Sequence, residues 1–305
     1  MLRFPRLTAL VLIALFAALV AAAGAMASPG AQTAPGLGSA ASFGVLGGQT
    51  VTNTGPTTIF GDLGVSPGSA ITGFPPGSLT AGATHAADAV ALQAQSDVTI
   101  AYDDLAGQAC TGDITGQDLG GQTLTEGVYC STSSSQLTGT LTLDAQGNAD
   151  AVFIFKMVST LTTASSSSVS VINGGTACNV FWQVGSSATL GTTTHFVGNI
   201  LALTSIALQN NADVVGRALA RNGEVTMDTN DVTIQGCPGA PAAPAATPTG
   251  TPTVPGLPST GGAPLQNGGF PWIVMLVASV MGGLGAVVLV VSVLGVSAPV
   301  RRRRE

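Results

Sequence analysis

The chain has 305 residues, of which only 8% are charged and 5% aromatic, with 41 glycines and a formal net charge of −6. Four of its 9 Lys and Arg residues form the run Arg301 to Arg304, so the body of the chain is acidic and has too few cations to neutralise phosphates; nucleic-acid binding is excluded. Two histidines, His85 and His195, and four separated cysteines provide no cluster for zinc, haem or an iron–sulfur group, and no cofactor or metal is expected.

At the N-terminus, Arg3 and Arg6 precede the apolar run Leu7 to Ala23, and Ala25-Met26-Ala27 supplies the small-x-small pattern that a signal peptidase reads. Residues 1–27 are therefore expected to be a signal peptide cleaved before Ser28, and the mature protein to be exported.

The body, residues 28–237, repeats itself. Ile59-Phe60-Gly61-Asp62-Leu63-Gly64-Val65, Leu137-Thr138-Gly139-Thr140-Leu141-Thr142-Leu143, Phe196-Val197-Gly198-Asn199-Ile200-Leu201-Ala202 and Val214-Val215-Gly216-Arg217-Ala218-Leu219-Ala220 share one pattern: apolar, any, Gly, any, apolar. Alternation on both sides of a Gly describes a strand that turns a corner, with Gly where a side chain would obstruct the bend. Corners that recur every 18 to 28 residues or so make a coil of three short strands, and such coils bury their apolar sides only against their neighbours. The fold class is mainly β: a parallel β-helix, or solenoid.

One segment departs from this. From Thr84 to Leu105 the apolar residues Ala87, Val90, Ala91, Ala94, Val98, Ala101, Tyr102 and Leu105 recur at three- and four-residue spacing, with Asp88, Gln93, Gln95, Asp97, Asp103 and Asp104 mostly on the rest of the wheel. The spacing predicts an amphipathic helix, capped by Thr84 and ended by Gly107, whose narrow Ala-rich stripe suits packing along a flat side of the solenoid.

Cys110, Cys130, Cys178 and Cys237 are even in number in an exported chain, so disulfides are expected, with three possible pairings. Cys110 with Cys130 and Cys178 with Cys237 are preferred: the first closes a Gly-rich loop where few apolar residues hold the chain, and the second staples the last coil.

Residues 238–256 are Pro, Ala, Thr and Gly with no charge among them, a linker that in extended polyproline II form reaches about 60 Å. Residues 257–305 begin with Leu257-Pro258-Ser259-Thr260-Gly261, continue into an uncharged span from Phe270 to Val296, long enough to cross a bilayer, and end on the basic tail. Motif, span and tail in this order resemble the LPXTG-type sorting signal of Gram-positive surface proteins. That resemblance implies cleavage by a sortase between Thr260 and Gly261 and attachment of the Thr carboxyl to peptidoglycan in the cell wall. The alternative is a single-pass transmembrane anchor through Phe270 to Val296, with the solenoid outside the cell.

From Leu37 to Cys237 the chain resembles the DUF3494 ice-binding-protein family. The resemblance is carried by Leu37-Gly38-Ser39-Ala40-Ala41-Ser42-Phe43-Gly44-Val45-Leu46-Gly47-Gly48, Val51-Thr52-Asn53-Thr54-Gly55-Pro56-Thr57, Gly61-Asp62-Leu63-Gly64-Val65-Ser66-Pro67-Gly68, the Thr84 to Leu105 segment, Val152-Phe153-Ile154-Phe155 and Gly216-Arg217-Ala218-Leu219-Ala220-Arg221-Asn222-Gly223. It implies a right-handed, discontinuous β-helix with three faces, one long helix alongside, and adsorption to ice through a flat β face by a monomer.

Elementary geometry makes that role intelligible. Parallel coils set like residues about 4.8 Å apart across strands, and Thr offers a methyl and a hydroxyl on one stiff rotamer, so ordered water is held at small entropic cost. The four residues just before each apolar-any-Gly corner are expected to occupy one slot: Pro56-Thr57-Thr58 after Gly55, Ser133-Ser134-Ser135-Gln136, Thr192-Thr193-Thr194-His195 and Asn210-Asn211-Ala212-Asp213. The family pattern at this slot is Thr-Gly/Ala-x-Thr/Asn, which Thr54-Gly55-Pro56-Thr57 fits and Asn210-Asn211-Ala212-Asp213 does not. The expected ice contacts are Thr54, Thr57, Thr192, Thr193, Thr194, Asn210 and Asn211, with Asp213 and His195 placing charge or a ring on a face that should be flat. The alternative is a wall-attached structural or partner-binding adhesin, in which Thr and Ser merely suit exposed strands. Catalysis is not expected: polysaccharide-cleaving β-helices need clustered carboxylates, whereas Asp103 and Asp104 point apart on the helix, Asp228 and Asp231 sit at coil edges, and Arg217 and Arg221 flank a corner.

Overall fold

The computed structural model describes residues 32–242. The expected signal peptide, most of the expected linker, the expected sorting motif and the Phe270 to Val296 span lie outside the described residues.

Alternation of buried and exposed residues produces short strands, and Gly- and Ser-rich turns separate them. The first coils supply β1 (Phe43–Gly47), β2 (Thr50–Asn53), β3 (Thr58–Phe60), β4 (Asp62–Val65), β5 (Ala70–Thr72), β6 (Ser78–Ala81) and β7 (Thr84–Ala86), followed by the helix α1 (Ala89–Gly107). Then come β8 (Gly112–Asp113), β9 (Thr123–Thr125), β10 (Gly127–Ser131), β11 (Ser135–Leu137), β12 (Thr140–Asp144), β13 (Phe153–Met157), β14 (Leu161–Thr163) and β15 (Ser168–Ile172). The last coils are β16 (Val180–Val184), β17 (Ala188–Leu190), β18 (His195–Ala202), β19 (Ile206–Leu208), β20 (Asp213–Ala220), β21 (Val225–Met227) and β22 (Asp231–Thr233). Every ladder among these strands is parallel, as a solenoid requires.

The cross-section has three sides. One is a seven-stranded sheet in the order β11-β14-β17-β19-β21-β2-β5. The other two are halves of a 15-stranded sheet, folded along a line of glycines: Gly61, Gly198 and Gly216, with φ of 140°, 119° and 142°. β18 and β20 run across this fold without a break, and a Cβ on Gly216 would collide with the carbonyl oxygen of Gly198, so only Gly permits the coils to stack there. Three of the four sequence repeats thus occupy one bend. The fourth does not: Gly139, φ 89°, lies between β11 and β12 at the corner that leaves the seven-stranded sheet.

Strand order rises with sequence from β11 to β21 and then passes to β2 and β5, so the N-terminal coils stack on the last C-terminal coil. Inside, the stack is filled by aliphatic residues and by the aromatic file Tyr129, Phe155, Trp182 and Phe196, with ring centroids 5.5, 4.0 and 4.9 Å apart. The Trp182 indole is fully buried and donates to the Val197 carbonyl at 3.0 Å, which satisfies its polar end.

A second apolar layer binds α1 to one half of the large sheet, hereafter the helix face. Ala91, Ala94, Val98, Ala101, Tyr102 and Leu105 pack on Phe43, Leu46, Val128, Ile154, Phe181, Leu201 and Leu219. The helix begins later than its periodicity predicts. Thr84 does not cap it, because Thr84–Ala86 pairs with β4 and extends the sheet; Asp88 is the cap, its carboxylate accepting from Ala91 N at 2.8 Å. Nor does Gln95 face solvent: it is buried and donates to the Ala220 carbonyl at 2.9 Å. The disulfides are Cys110–Cys130 and Cys178–Cys237.

Candidate functional site: a threonine ladder on the seven-stranded sheet

Each strand of the seven-stranded sheet is three or four residues long, and in all but β5 one outward residue stands between two core-facing ones; in β5 Ile71 turns to the core and Thr72 points out. The outward residues are in register across the sheet: Gln136 with Thr162, Thr162 with Thr189, Thr189 with Ala207, Ala207 with Thr226, Thr226 with Thr52, and Thr52 with Thr72. Seven residues at ~4.8 Å spacing make a straight rank about 29 Å long. Five are Thr and none is charged. Among the described residues none of the five hydroxyls bonds to the protein, so all are free for water or a solid surface. Glu224 precedes β21 and Asp228 follows it, which keeps charge at the margins of the rank.

The remaining face, opposite in character, is acidic. Asp231, Asp213 and His195 are neighbours across β22, β20 and β18; Thr58 Oγ1 donates to Asp231 at 3.0 Å, and His195 Nδ1 lies 3.5 Å from Asp213 Oδ2. The charge and the imidazole ring that seemed from sequence to spoil the ordered face therefore stand on a different side of the solenoid.

Of the seven residues expected to touch ice, two are internal. Thr57 and Thr194 are fully buried at the corner between the seven-stranded sheet and the acidic face, in one column with Ser167, Ala212 and Asn230. Thr57 donates to Asn53 Oδ1 at 2.6 Å and accepts from Asn230 N at 3.0 Å, and Thr194 Oγ1 pairs with Thr163 Oγ1 at 2.9 Å. The last residue of the Thr-Gly-x-Thr pattern satisfies polar groups inside the turn instead of meeting the outside.

The other five are exposed on that corner. Thr54, Thr192 and Asn210 lie along the edge of the rank, with Thr192 donating to Ser165 Oγ at 2.8 Å. Thr193 and Asn211 have φ of 55° and 57°, matching Ser166 at 58° and Thr229 at 58°, and Ser166 Oγ lies 2.9 Å from Thr193 Oγ1. They form a ridge beside the flat rank. Ser133 to Gln136, assigned from sequence to the same slot, instead lead into the seven-stranded sheet at β11. The ladder itself was missed: Thr52, Thr72, Thr162, Thr189 and Thr226 sit in triplets such as Val51-Thr52-Asn53 and Val225-Thr226-Met227, and this in–out–in pattern is the signal that could have found them.

A parallel solenoid bearing a straight, uncharged rank of hydroxyls on a flat side belongs to the class of β-solenoids with lattice-like surfaces. The profile of the Ice-binding-like family matches residues 45–233, and the chain belongs to that family. It is 59% identical over 197 residues to an ice-binding protein of Nostoc sp. (strain HG1), spanning 64% of this chain and 72% of that one. Its fold is similar to the crystal structure of an ice-binding protein from an Antarctic biological consortium, with a TM-score of 0.65 at 48% identity over 67% of this chain and 93% of that one. The DUF3494 domain of Shewanella frigidimarina ice-binding protein 1 superposes with a TM-score of 0.62 at 33% identity, covering 66% of this chain and 97% of the domain.

Proposed function

We propose that the protein adsorbs to ice through the Thr72–Thr52–Thr226–Ala207–Thr189–Thr162–Gln136 rank and so restrains ice growth or recrystallisation. The observation that carries the reading is the regularity of that rank: one uncharged residue per coil in register over seven strands, five of them Thr with free hydroxyls, one Ala, and Gln136 at the end. Stiff Thr rotamers hold a methyl and a hydroxyl at each site, so the water layer over the rank loses little entropy when it joins a crystal. Relatives named as ice-binding proteins support it. No catalytic role is proposed; the acidic pair Asp213 and Asp231 is engaged with Thr58, His195 and backbone.

The address signals extend the reading. Residues 1–27 direct export, residues 238–256 space the domain from the envelope, and Leu257 to Gly261 with the following span and Arg301 to Arg304 hold it at the cell wall through sortase and peptidoglycan. The working form is thus a tethered monomer displayed outside the cell.

The test is adsorption of fluorescently labelled mature chain to a slowly grown single-crystal ice hemisphere. Enrichment in the ice is expected. Exclusion from the ice at every concentration would reject the reading in favour of a structural or partner-binding adhesin.

A further inference from the structure

The chain enters and leaves the solenoid at the same place, the Gly61–Gly198–Gly216 bend, which in a three-sided section is the edge opposite the threonine rank. Arg217, next to that bend and only 1% exposed, joins the two ends: Nε and Nη2 donate to the Ala41 carbonyl, Nη2 to the Pro238 carbonyl at 2.9 Å, and Nη1 to Asn199 Oδ1 at 2.8 Å. Asn199 in turn donates to the carbonyls of Cys178 and Val180 at 3.1 and 3.0 Å. Burial lowers the Arg217 pKa to about 10, so the group remains a cation at neutral pH, held by carbonyl oxygens and, among the described residues, paired with no carboxylate. Alongside, Cys237 is bonded to Cys178, which stands at the foot of β16 in the middle of the stack.

We propose that this group of contacts is a mechanical clasp, through which tension arriving along the chain from beyond Ala242 is delivered at Cys237 into Cys178 and the centre of the solenoid. The proposal rests on the reading that the domain holds ice and is tethered through the residues that follow it. Its logic is that of a stack in which each coil touches only its neighbours. Tension on the last strand would draw β22 from between β20 and β3, then β21 from between β19 and β2, then β20 from between β18 and β1. The Cys178–Cys237 bond removes that route, because the 59-residue separation between the two cysteines is closed off covalently. Thr189, Ala207 and Thr226, the middle of the ice rank, lie inside the closed segment and are spared the tension. Arg217 secures Pro238 and Ala41 together just outside the bond, so the first and last residues of the body are fixed to each other as well as to the bend.

The experiment pulls the full mature chain in an optical trap between handles at Ser28 and Glu305. Cys178→Ser/Cys237→Ser is expected to rupture first at lower force, to yield from the C-terminal end in coil-sized steps, and to reach an extension longer by about 210 Å, 59 residues at ~3.6 Å each. Cys110→Ser/Cys130→Ser removes a bond outside the segment closed by Cys178 and Cys237 and should keep the wild-type first-rupture force, with an extension longer by only about 70 Å, 20 residues at ~3.6 Å each. Arg217→Met with both disulfides intact should lower that force without lengthening the extension. Reductant added to a folded wild-type molecule already in the trap opens both bonds; it should reproduce the lower force, with an extension longer by about 280 Å for the 20 and 59 residues released, and does not depend on the variant folding. An unchanged first-rupture force after loss of Cys178–Cys237, or an equal fall after loss of Cys110–Cys130, overturns the clasp. Ice adsorption of the same chains without tension is scored separately, so failure of the ice reading and failure of the clasp are distinguishable.

Discussion

Thr163 Oγ1 and Thr194 Oγ1 lie 2.9 Å apart inside the corner between the seven-stranded sheet and the acidic face, both buried, with Gly191 N donating to Thr163. The pair closes a turn that apolar side chains could not close, since the backbone N–H of Gly191 needs an acceptor there. Threonine thus has two roles in this chain: Thr57, Thr163 and Thr194 act inside the corner, and the five Thr of the rank act outside the strands.

The inner role predicts that Thr194→Val, which keeps shape and removes the hydroxyl, lowers folding stability by about 1–3 kcal/mol through the polar partner it leaves behind. Chemical denaturation should show the loss, and ice adsorption of the folded fraction should be unchanged. A variant as stable as wild type would show that the corner pair is dispensable.

The outer role predicts the reverse for Thr189→Tyr at the centre of the rank. Ice adsorption depends on many weak contacts made together on a flat surface, and one ring lifts several of them away from the crystal. Thermal hysteresis and recrystallisation inhibition should be largely lost while stability stays within about 0.5 kcal/mol. Leu92→Tyr, on the outer side of the helix where Leu92 is 61% exposed, should keep full activity. Full activity in Thr189→Tyr would move the ice face to the ridge or to the acidic side.

Much of the architecture was legible in the sequence, because Gly61, Gly198 and Gly216 mark their bend with a repeated apolar frame and the helix carries a stripe of small residues long enough to show its period. The threonine rank was not. Its strands are three or four residues each, too short for alternation to stand out. A Thr that faces inward, such as Thr57, has the same letter as one that faces outward, such as Thr52 five positions earlier. The start of the helix was obscured for a similar reason: Thr84 is a reasonable cap by type, but pairing of Thr84–Ala86 with β4 competes for the same residues and wins.

The Asp88 cap carries a pH prediction. The backbone N–H of Ala91, followed by His85, holds its carboxyl below the ordinary value of 3.8. A carboxyl lowered in the folded state stabilises the fold above its unfolded pKa and loses that contribution as pH falls through the folded value. Asp88→Ala should therefore lower the melting temperature at neutral pH and narrow the gap to wild type below about pH 4. A gap that stays constant across that range would mean the cap acts without its charge.

For the tether, Thr260→Ala should move the protein from the wall fraction to the membrane fraction, because the Phe270 to Val296 span is then retained. Fractionation with and without wall digestion reads this out. Complete extraction of the wild type by detergent alone would replace the covalent anchor with the plain membrane span.

The junction of Thr226 with Thr52 brings together parts of the chain made at opposite ends of synthesis. In a nascent chain the first coils stack only on one another, β1 on β4 and β2 on β5, and the opposite edges of β1 and β2, which dock against β20 and β21, stay open until the last coils exist. Pairings of such long sequence separation form late. The full rank therefore comes into being only once the final coil has been made and folded, and a partly synthesised chain presents it in separate fragments.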